Sequence, residues 1–296
     1  MPNISDEGKK FFLSACLIAK NEGRYLLEWI AFHKAVGFDH FYIYDNDSSD
    51  DTRSILINLQ KHGWCTYTHW PRSAFPDNPQ VNAYRHMISE YHRETSWVAI
   101  IDADEFVIPL TSDRVDEVLR NKFSNAASVL CNWRVFGSSG YDEDDGRFCI
   151  ERFRRSSAVG YHSNNHVKAI CRPDLVEIAF VHNHYMKNGP IVLSDGSNMS
   201  PARNQLTTTP VYEHLQINHY FCKSFAEFSK KRNKGLAELP LDHPMATRSM
   251  EMFSDADRNE VENNSAYVFF DKMIECYRQI ELMCATDIDK GNASSI

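Results

Sequence analysis

The stretch WVAIIDADEFVIPL, residues 97–110, places a short apolar run directly before three closely spaced carboxylates, Asp102, Asp104 and Glu105. The apolar run has the length and composition of a buried β-strand. Carboxylates this close repel one another, and burying them unpaired is expensive. The stretch therefore predicts a strand whose end is built to meet positive charge. If the strand continues, alternation turns Glu105 to the opposite face, where a structural role is expected.

Upstream of this stretch, strand-like and helix-like segments alternate. The predicted strands are residues 11–19, 40–45 and 64–70, and the predicted helices are residues 24–36, 50–62 and 80–94. This alternation is typical of an α/β fold with a mostly parallel sheet and helices on its faces. Ligands of such sheets bind beyond the carboxyl ends of the strands. Polar residues follow three of the predicted strands, namely Lys20, Asn21, Glu22, Asp45, Asp47, Asp102 and Asp104.

The second half of the chain has a different pattern. Strand-like runs cover residues 127–136, 167–172, 176–182 and 213–221, and helices are expected at 223–234 and 265–284. Residues 187–210 are polar and rich in turn formers, which indicates a mobile loop. We expect one continuous domain with two halves, residues 1–110 and 111–296.

Composition excludes some classes of protein. A formal net charge of −8 argues against a general nucleic-acid binder, which needs a basic surface. The eight cysteines form no C-x-x-C pair, which argues against a zinc ribbon or a thioredoxin-like site. Several of them lie in apolar strand-like runs, which favours a reduced compartment. The apolar run at residues 11–19 is too short to span a membrane. A buried strand explains it better than a signal peptide, which remains the alternative.

The pair Asp102 and Asp104 suggests a metal site. Hard carboxylate oxygens at a strand end suit manganese or magnesium, and such ions often bridge a diphosphate. A D-x-D pair alone is a weak signal, but here it follows a buried strand of an α/β repeat. His182 or His219 could complete the metal shell, although a packed core histidine is the alternative for each. Lys223 follows His219 by one helical turn and would suit a phosphate.

Two other motifs are less specific. Residues 45–56 superficially resemble a calcium loop, but Asp50 stands where such a loop needs glycine and Leu56 where it needs glutamate. A basic concentration, which could bind a diphosphate or an anionic acceptor, contains Arg152, Arg154, Arg155, Lys168 and Arg172. The alternative for most of these is a solvated strand face.

Several motifs in a fixed order resemble the glycosyltransferases related to families 2 and 92. They are LIAKNEGRYLLEWIAFHKAVGFDHFYIYDNDSSDDT, PQVNAY, WVAIIDADEFV, NWRVFGSSG, HVKAICRP and INHYFCKSFAEFSKKRNKG. The resemblance covers residues 12–235 and implies a GT-A fold, in which a Rossmann-like half (1–110) binds a nucleotide-sugar and residues 111–296 bind the acceptor and end in helices.

The resemblance also implies roles for individual residues. A divalent metal, usually manganese, would be held by Asp102, Asp104, His182 and His219. Donor-binding residues would be Lys20, Asn21, Glu22, Asp45, Asp47, Gln80, Tyr84, Asp102, Lys168 and Lys223. Acceptor-binding residues would be Trp133, Phe136 and Gly137.

The acceptor side departs from the pattern at one point. Relatives often carry histidine after FGSSG, whereas this chain has Tyr141 followed by the acidic run DEDDGRF. An inverting transferase needs a carboxylate base for the acceptor hydroxyl. Asp142, Asp144 and Glu151 are the candidates, and the sequence does not choose among them.

These observations favour a metal-dependent glycosyltransferase that moves sugar from a nucleotide-sugar, in first place a UDP-sugar, to a hydroxyl of a saccharide or glycolipid. We expect a cytoplasmic enzyme of polysaccharide or glycan synthesis, with peripheral membrane association as a further expectation by analogy. One alternative is a non-catalytic nucleotide-sugar-binding protein. Another is a phosphotransferase with an Asp nucleophile, which Phe106 argues against because such motifs usually have Thr or Val there.

Overall fold

The secondary structure was obtained from a computed structural model, which describes residues 6–199, 206–232 and 247–293, without the side chains of 285–293. The helices are α1 (Gly23–Ala35), α2 (Thr52–Lys61), α3 (Pro79–Tyr91), α4 (Val115–Lys122), α5 (Cys149–Arg152), α6 (Phe225–Arg232), α7 (Met250–Ala256) and α8 (Phe270–Ala293). The strands are β1 (Phe11–Ala19), β2 (His40–Asp45), β3 (Cys65–His69), β4 (Thr95–Ile100), β5 (Glu105–Pro109), β6 (Ser128–Val135), β7 (Arg155–Ser156), β8 (Val167–Cys171), β9 (Val176–Ile178), β10 (Tyr185–Met186), β11 (Ile191–Leu193), β12 (Leu215–His219) and β13 (Val261–Glu262).

A nine-stranded sheet forms the centre of the molecule, with the order β3-β2-β1-β4-β8-β6-β12-β5 and with β11 beside β6. The pairings among β1, β2, β3 and β4 are parallel, as are those of β6 with β11 and β12. β8 runs antiparallel to both β4 and β6, and β5 runs antiparallel to β12. The predicted α/β class with a mostly parallel central sheet is therefore confirmed, and the sheet takes strands from both predicted halves.

Strand β1 shows why its sequence is almost continuously apolar. Leu13, Ala15 and Leu17 belong to the larger core cluster, whereas Cys16 belongs to a second cluster on the other side. Both faces of the strand are thus covered, as expected for a parallel strand between two helical layers. Burial on both faces explains why the run at residues 11–19 is almost continuously apolar. None of the helices that the structure describes is long and apolar enough to cross a membrane.

Local signals position the helices around the sheet. Helix α1 ends before Gly37, whose φ of +102° is a backbone conformation that favours glycine. Helix α3 begins after Asn78, whose side chain accepts a hydrogen bond from the Val81 N–H, with Pro79 in the first turn. These ends agree with the predicted helices to within a few residues because capping is encoded locally.

The connection between β4 and β5 is the least expected part of the topology. Only residues 101–104 separate these strands, yet β8, β6 and β12 lie between them in the order of the sheet. Four residues reach this far because the sheet is strongly curled. The D-x-D segment therefore crosses over the ends of strands that come from the second half of the chain.

Several predicted boundaries in the second half are corrected by the structure. The segment predicted as a loop at 187–210 contains β11, which pairs in parallel with β6, and residues 200–205 of it lie outside the described chain. The strand predicted at 176–182 ends at Ile178. The helix predicted at 223–234 begins at Phe225 and is described as far as Arg232, and that predicted at 265–284 is a short 3₁₀ turn followed by α8.

Gly137, which follows β6, packs against the loop after α7. A Cβ at this position would lie 2.5 Å from the Arg258 carbonyl oxygen and 2.5 Å from Asn259 Oδ1. The same loop is tied to the chain by the Ser138 N–H, which donates to Asp257 Oδ1 at 2.6 Å. The backbone at Gly137 can therefore pack against residues 258–259 only because residue 137 has no side chain.

Replacing this glycine should accordingly weaken the fold. We expect Gly137→Ala to lower the free energy of unfolding by about 1–3 kcal/mol, because overpacking forces the loop to shift. Urea denaturation measures this, with Gly160→Ala as the control, since a Cβ at Gly160 has no atom within 4 Å. Equal stabilities of the two variants would contradict the packing described here.

Candidate active site

A cavity of about 570 Å³ opens where the carboxyl ends of β1, β2 and β4 meet the end of β12. Of the residues predicted for donor, metal, acceptor or catalysis, the following line this cavity: Lys20, Asn21, Glu22, Gln80, Asp102, Asp104, Trp133, Asp144, His182, His219 and Lys223. The structure thus brings together residues from both halves of the chain at the predicted edge of the sheet.

Asp102 is held on both sides by neighbouring side chains. Its Oδ1 accepts hydrogen bonds from Gln80 Nε2 at 3.0 Å and from the Tyr84 hydroxyl at 3.4 Å. Its Oδ2 accepts from Lys168 Nζ at 2.7 Å. Gln80 lines the cavity, whereas Tyr84 and Lys168 support Asp102 from outside the lining. Asp102 is therefore rigidly oriented, and much of its capacity to accept hydrogen bonds is already used.

Lys168 compensates two carboxylates at once. Its side chain is 0% exposed, and its Nζ lies 3.5 Å from Glu105 Oε2 in addition to its bond with Asp102. Burial alone would lower the pKa of Lys168, but Asp102 and Glu105 outweigh burial and raise it. Lys168 therefore remains charged within the protein. Its position behind Asp102 makes it a support of the site rather than part of the cavity wall.

Glu105 is completely buried and does not line the cavity. Its Oε2 accepts from the Asp102 N–H at 2.9 Å, while its Oε1 has no hydrogen-bond partner. Burial, opposed by the charge of Lys168, raises the pKa of Glu105 to about 7. Glu105 therefore has a structural position beneath the cavity, in agreement with the role expected from the sequence. The charge of Lys168 offsets most of the cost of burying it.

Asp104 faces both a histidine and a lysine. The register of β5 with β12 sets His219 opposite Glu105, and the Tyr220 N–H donates to the Asp104 carbonyl oxygen at 2.8 Å. His219 Nε2 then lies 3.6 Å from Asp104 Oδ1, while Lys231 Nζ donates to Asp104 Oδ2. Burial would raise the pKa of Asp104, but Lys231 and His219 hold it well below its usual range.

An aromatic cluster packs behind the two acids. The Trp133 ring stacks on His166 at 4.7 Å and packs against His219 at 4.2 Å. His182 Nδ1 lies 3.0 Å from the Val167 carbonyl oxygen, so this nitrogen carries the proton and donates. Burial and the charge of Lys168 lower the pKa of His182 to about 3. Its neutral ring thus keeps Nε2 as an acceptor at the cavity.

The basic side chains at the cavity outnumber the acidic ones. Seven lysines and arginines line it against five carboxylates, in a chain with a net charge of −8. The basic residues are Lys20, Arg24, Arg72, Lys223, Lys230, Lys231 and Arg248. Such a local excess raises the concentration of anionic ligands and suits a phosphorylated one.

A second ionic cluster forms the opposite part of the lining. Asp144 accepts two hydrogen bonds from Arg24, at 2.9 and 3.0 Å, and another from Arg152 at 3.0 Å. Arg152 also donates to Glu227 at 3.0 Å, and the Tyr25 hydroxyl donates to the same carboxylate. Burial opposes the arginines at Asp144, but they lower its pKa and favour the carboxylate form.

The other predicted site residues lie outside the lining. Asp45 accepts from the Ser48 N–H, and Asp47 accepts from the Arg72 N–H and contacts His69, so both shape the loop after β2. Asp142 is exposed, and Glu151 lies 3.6 Å from Arg147. Phe136 is buried against Tyr220, and Gly137 packs on the loop after α7.

The basic concentration noted in the sequence is dispersed. Arg154 donates to Asn264, Arg155 to the Asn259 carbonyl oxygen, and Arg172 to Asp6 and backbone carbonyls. None of these three, nor Arg152, lines the cavity among the described residues.

Two important side chains were missed by sequence reasoning, Glu227 and Lys231, and both belong to α6. Glu227 forms a capping box with Ser224, whose N–H and hydroxyl donate to the Glu227 carboxylate at 3.2 and 2.5 Å. The spacing S-x-x-E, residues 224–227, is a sequence signal for the start of α6. A helix that starts there places Glu227 and Lys231, four residues apart, on the same face. Nothing local in the sequence indicates that Lys231 reaches Asp104.

The donor atoms at Asp104 fit a divalent cation that completes its shell with substrate. Asp104 Oδ1 and His219 Nε2 face each other across 3.6 Å, and carboxylate oxygen with imidazole nitrogen suits manganese. No group of three or more His, Cys, Asp or Glu ligands occurs in the described part of the chain. The protein would thus supply two ligands, Asp104 and His219, and the remaining ones would be oxygens of a phosphorylated ligand or of water.

Comparison with known proteins agrees with the pattern of the motifs. Residues 13–264 match the family model described as glycosyltransferase family 92. A family 92 protein of Ricinus communis is 26% identical over 259 residues, which are 81% of this chain and 41% of that protein. One of Oryza sativa subsp. japonica is 25% identical over 230 residues, 75% of this chain and 35% of that protein. The chain thus spans well under half the length of these relatives.

The solved structures offer a weaker likeness. Staphylococcus aureus TarS 1-349 in complex with UDP aligns over 55% of this chain and 47% of its own, with a TM-score of 0.36 and 14% identity.

The support of Asp102 and Glu105 by Lys168 can be tested by removing the charge. We expect Lys168→Met to cost about 3–5 kcal/mol of unfolding free energy, because it leaves two carboxylates without their buried counter-charge. The loss should be larger near pH 8 than near pH 5.5. Removing the ammonium raises the folded-state pKa of Glu105 further, and a raised carboxyl pKa makes stability fall as pH rises.

Urea denaturation at both pH values measures this effect, with the exposed Lys187→Met as the control. Adding Glu105→Gln to Lys168→Met should recover part of the loss, since the double variant buries one carboxylate fewer. Strict additivity of the two substitutions would show that the two side chains are not coupled.

Proposed function

The chain belongs to glycosyltransferase family 92, and on that premise we propose that it transfers a sugar from a nucleotide-sugar donor to a hydroxyl of a saccharide or glycolipid acceptor. The observation that carries the proposal is that Asp104 Oδ1 and His219 Nε2 face each other across 3.6 Å in a cavity rich in basic side chains. This arrangement suits a nucleoside diphosphate as the leaving group, because the diphosphate gains negative charge as the bond to the sugar breaks.

The donor would lie along the carboxyl ends of β1, β2 and β4. Asn21 and Asn46 line the cavity there, beside Gln80 and Asp102. Asp102 is already oriented by Gln80, Tyr84 and Lys168, so it can accept from a ribose hydroxyl without reorganising. Lys223, in the turn before α6, and Lys231, on α6, would face the diphosphate.

A divalent cation held by Asp104 and His219 would offset the charge of the diphosphate when bound. The protein's own contribution is to hold these ligands fixed: the Tyr220 N–H bonds the Asp104 carbonyl oxygen, and Trp133 packs against the His219 ring. Trp133 also closes one side of the cavity, and this position suits contact with the transferred sugar. UDP-sugars with manganese are the first donors to test.

Asp144 is the candidate base that the geometry favours for an inverting transfer. It lines the cavity, unlike Asp142 and Glu151, and its side chain is 26% exposed. Arg24 and Arg152 orient its carboxylate, and through their charges they also lower its basicity. Its proton affinity would have to rise as the acceptor hydroxyl approaches and gives up its proton to an Asp144 oxygen.

A thermal-shift screen of nucleoside diphosphates and their sugars, with and without Mn²⁺, identifies the donor. A ligand that binds the folded protein raises the melting temperature by an amount that grows with the logarithm of the ligand concentration relative to its Kd. Stabilisation specific to one base and increased by Mn²⁺ supports the proposal. Binding without any hydrolysis of the donor over long incubation would instead indicate a non-catalytic nucleotide-sugar-binding protein.

Removing the charge of Asp104 should abolish turnover and leave the fold intact. We expect Asp104→Asn to lower donor hydrolysis at least about 100-fold with Mn²⁺ present, because the cation loses its anionic ligand. Steady-state assays with the identified donor measure this, and circular dichroism checks the fold. Asp113→Asn is the matched control, since Asp113 is 77% exposed on the surface. Unchanged turnover in Asp104→Asn would contradict a metal role for this residue.

The three candidate bases can be separated by their amide variants. We expect Asp144→Asn to lower kcat about 100-fold or more, whereas Asp142→Asn and Glu151→Gln change it less than about threefold. Donor affinity, measured by calorimetry, should stay within about threefold in all of them. A large loss of kcat in Asp142→Asn or Glu151→Gln instead of Asp144→Asn would move the base to that residue.

A further inference from the structure

Lys231 places a positive charge on the carboxylate that the proposed metal would need. Its Nζ donates to Asp104 Oδ2 and, at 3.0 Å, to the Phe221 carbonyl oxygen. The ammonium also lies 4.5 Å above the Phe221 ring. The lysine comes from the last turn of α6, and it lines the cavity. Lys231 thus bonds Oδ2 of Asp104, whereas His219 lies nearer to Oδ1.

Asp104 needs this compensation while no ligand is bound. The side chain is only 14% exposed, so its charge receives little from solvent. His219 Nε2, at 3.6 Å, is beyond hydrogen-bond distance from Oδ1. The ammonium of Lys231 does hydrogen-bond the Asp104 carboxylate, at Oδ2. The ion pair therefore stabilises the site in its unliganded form.

The same ion pair opposes the binding of a divalent cation by itself. A cation at Asp104 Oδ1 and His219 Nε2 would share one carboxylate with the Lys231 ammonium, and like charges a few ångström apart repel strongly in a poorly hydrated site. A diphosphate changes this balance, because its oxygens offer the ammonium a second partner in the same cavity. The Lys231 side chain is 21% exposed and has a flexible four-carbon stem, so it can turn toward such a ligand.

We propose that Lys231 is an internal counter-cation that keeps divalent metal affinity low until the donor's diphosphate arrives and takes over its ammonium. The inference rests on the proposed function, since it concerns the metal and donor of that same site. Its consequence is a strong mutual dependence: metal and nucleoside diphosphate each bind weakly alone and tightly together. By linkage, each raises the affinity of the other by the same factor.

The experiment is a Mn²⁺ titration of the full chain, followed by electron paramagnetic resonance, first without nucleotide and then with saturating UDP. We expect Lys231→Met to bind Mn²⁺ at least about 10-fold more tightly than the original protein without nucleotide, because the competing charge is gone. The gain in Mn²⁺ affinity on adding UDP should shrink by at least about 10-fold in the same variant. Neither measurement depends on turnover.

Lys230→Met is the matched control. Lys230 is adjacent on α6 and lines the same cavity, but it makes no hydrogen bond or ion pair with Asp104. Its loss should change the Mn²⁺ affinity without nucleotide by less than about threefold. Lys231→Gln is the second neutral variant in case the methionine disturbs the fold, since an amide can still donate to Asp104. Lys231→Arg keeps the charge and should keep the weak affinity for metal alone.

Failure of this inference can be told from failure of the proposed function. If Asp104→Asn removes Mn²⁺ binding while Lys231→Met and Lys231→Gln bind it no more tightly than the original chain, the metal site stands and the role of Lys231 is overturned. If no variant binds Mn²⁺ with or without UDP, the inference and the proposed metal are both overturned. If UDP alone still raises the melting temperature in that case, the proposal of a nucleotide-sugar donor stands without the metal.

Discussion

One buried ammonium group, that of Lys168, makes the acidic end of β4 possible. Glu105 is completely buried and the Asp102 side chain is 32% exposed at the cavity, and both are bound to this one charge. The lysine reaches them because β8 runs antiparallel between β4 and β6, so its first residues lie beside the last residues of β4. The antiparallel direction of β8 thus brings the Lys168 charge to the end of β4. The position of Asp102 at the cavity depends on this charge.

The two acids of the D-x-D motif are consequently held in different ways. Asp102 is bound to a completely buried lysine and to two further donors, and this is a permanent arrangement. Asp104 is bound to Lys231, which lines the cavity and is partly exposed. The first carboxylate is suited to orient a ligand, and the second to exchange one cation for another. A motif that looks symmetric in sequence therefore has two chemically distinct members.

The first four strands and their helices could be predicted from sequence because apolar periodicity and capping act over a few residues. Their polar ends could also be grouped, since parallel strands end at the same edge. The partners of those ends could not be predicted. His219 reaches Asp104 through the register of β5 with β12, and Lys231 through the packing of α6, both of which depend on contacts between residues far apart in the chain. Strand β11 was missed because pairing with β6 overrides the turn-forming composition of its neighbourhood.

The curled path from β4 to β5 also has a consequence for the order in which the protein is assembled. Residues 105–109 pair with residues 215–219, and Asp102 and Glu105 meet their lysine only through β8. On a ribosome, β1 to β4 can associate early, whereas the carboxylates that follow β4 remain without these partners until Lys168 and residues 215–219 have emerged. Until then, the hydration of these unpaired carboxylates disfavours burial of the segment. We infer that the nascent sheet is built from one side and that the future binding edge closes last.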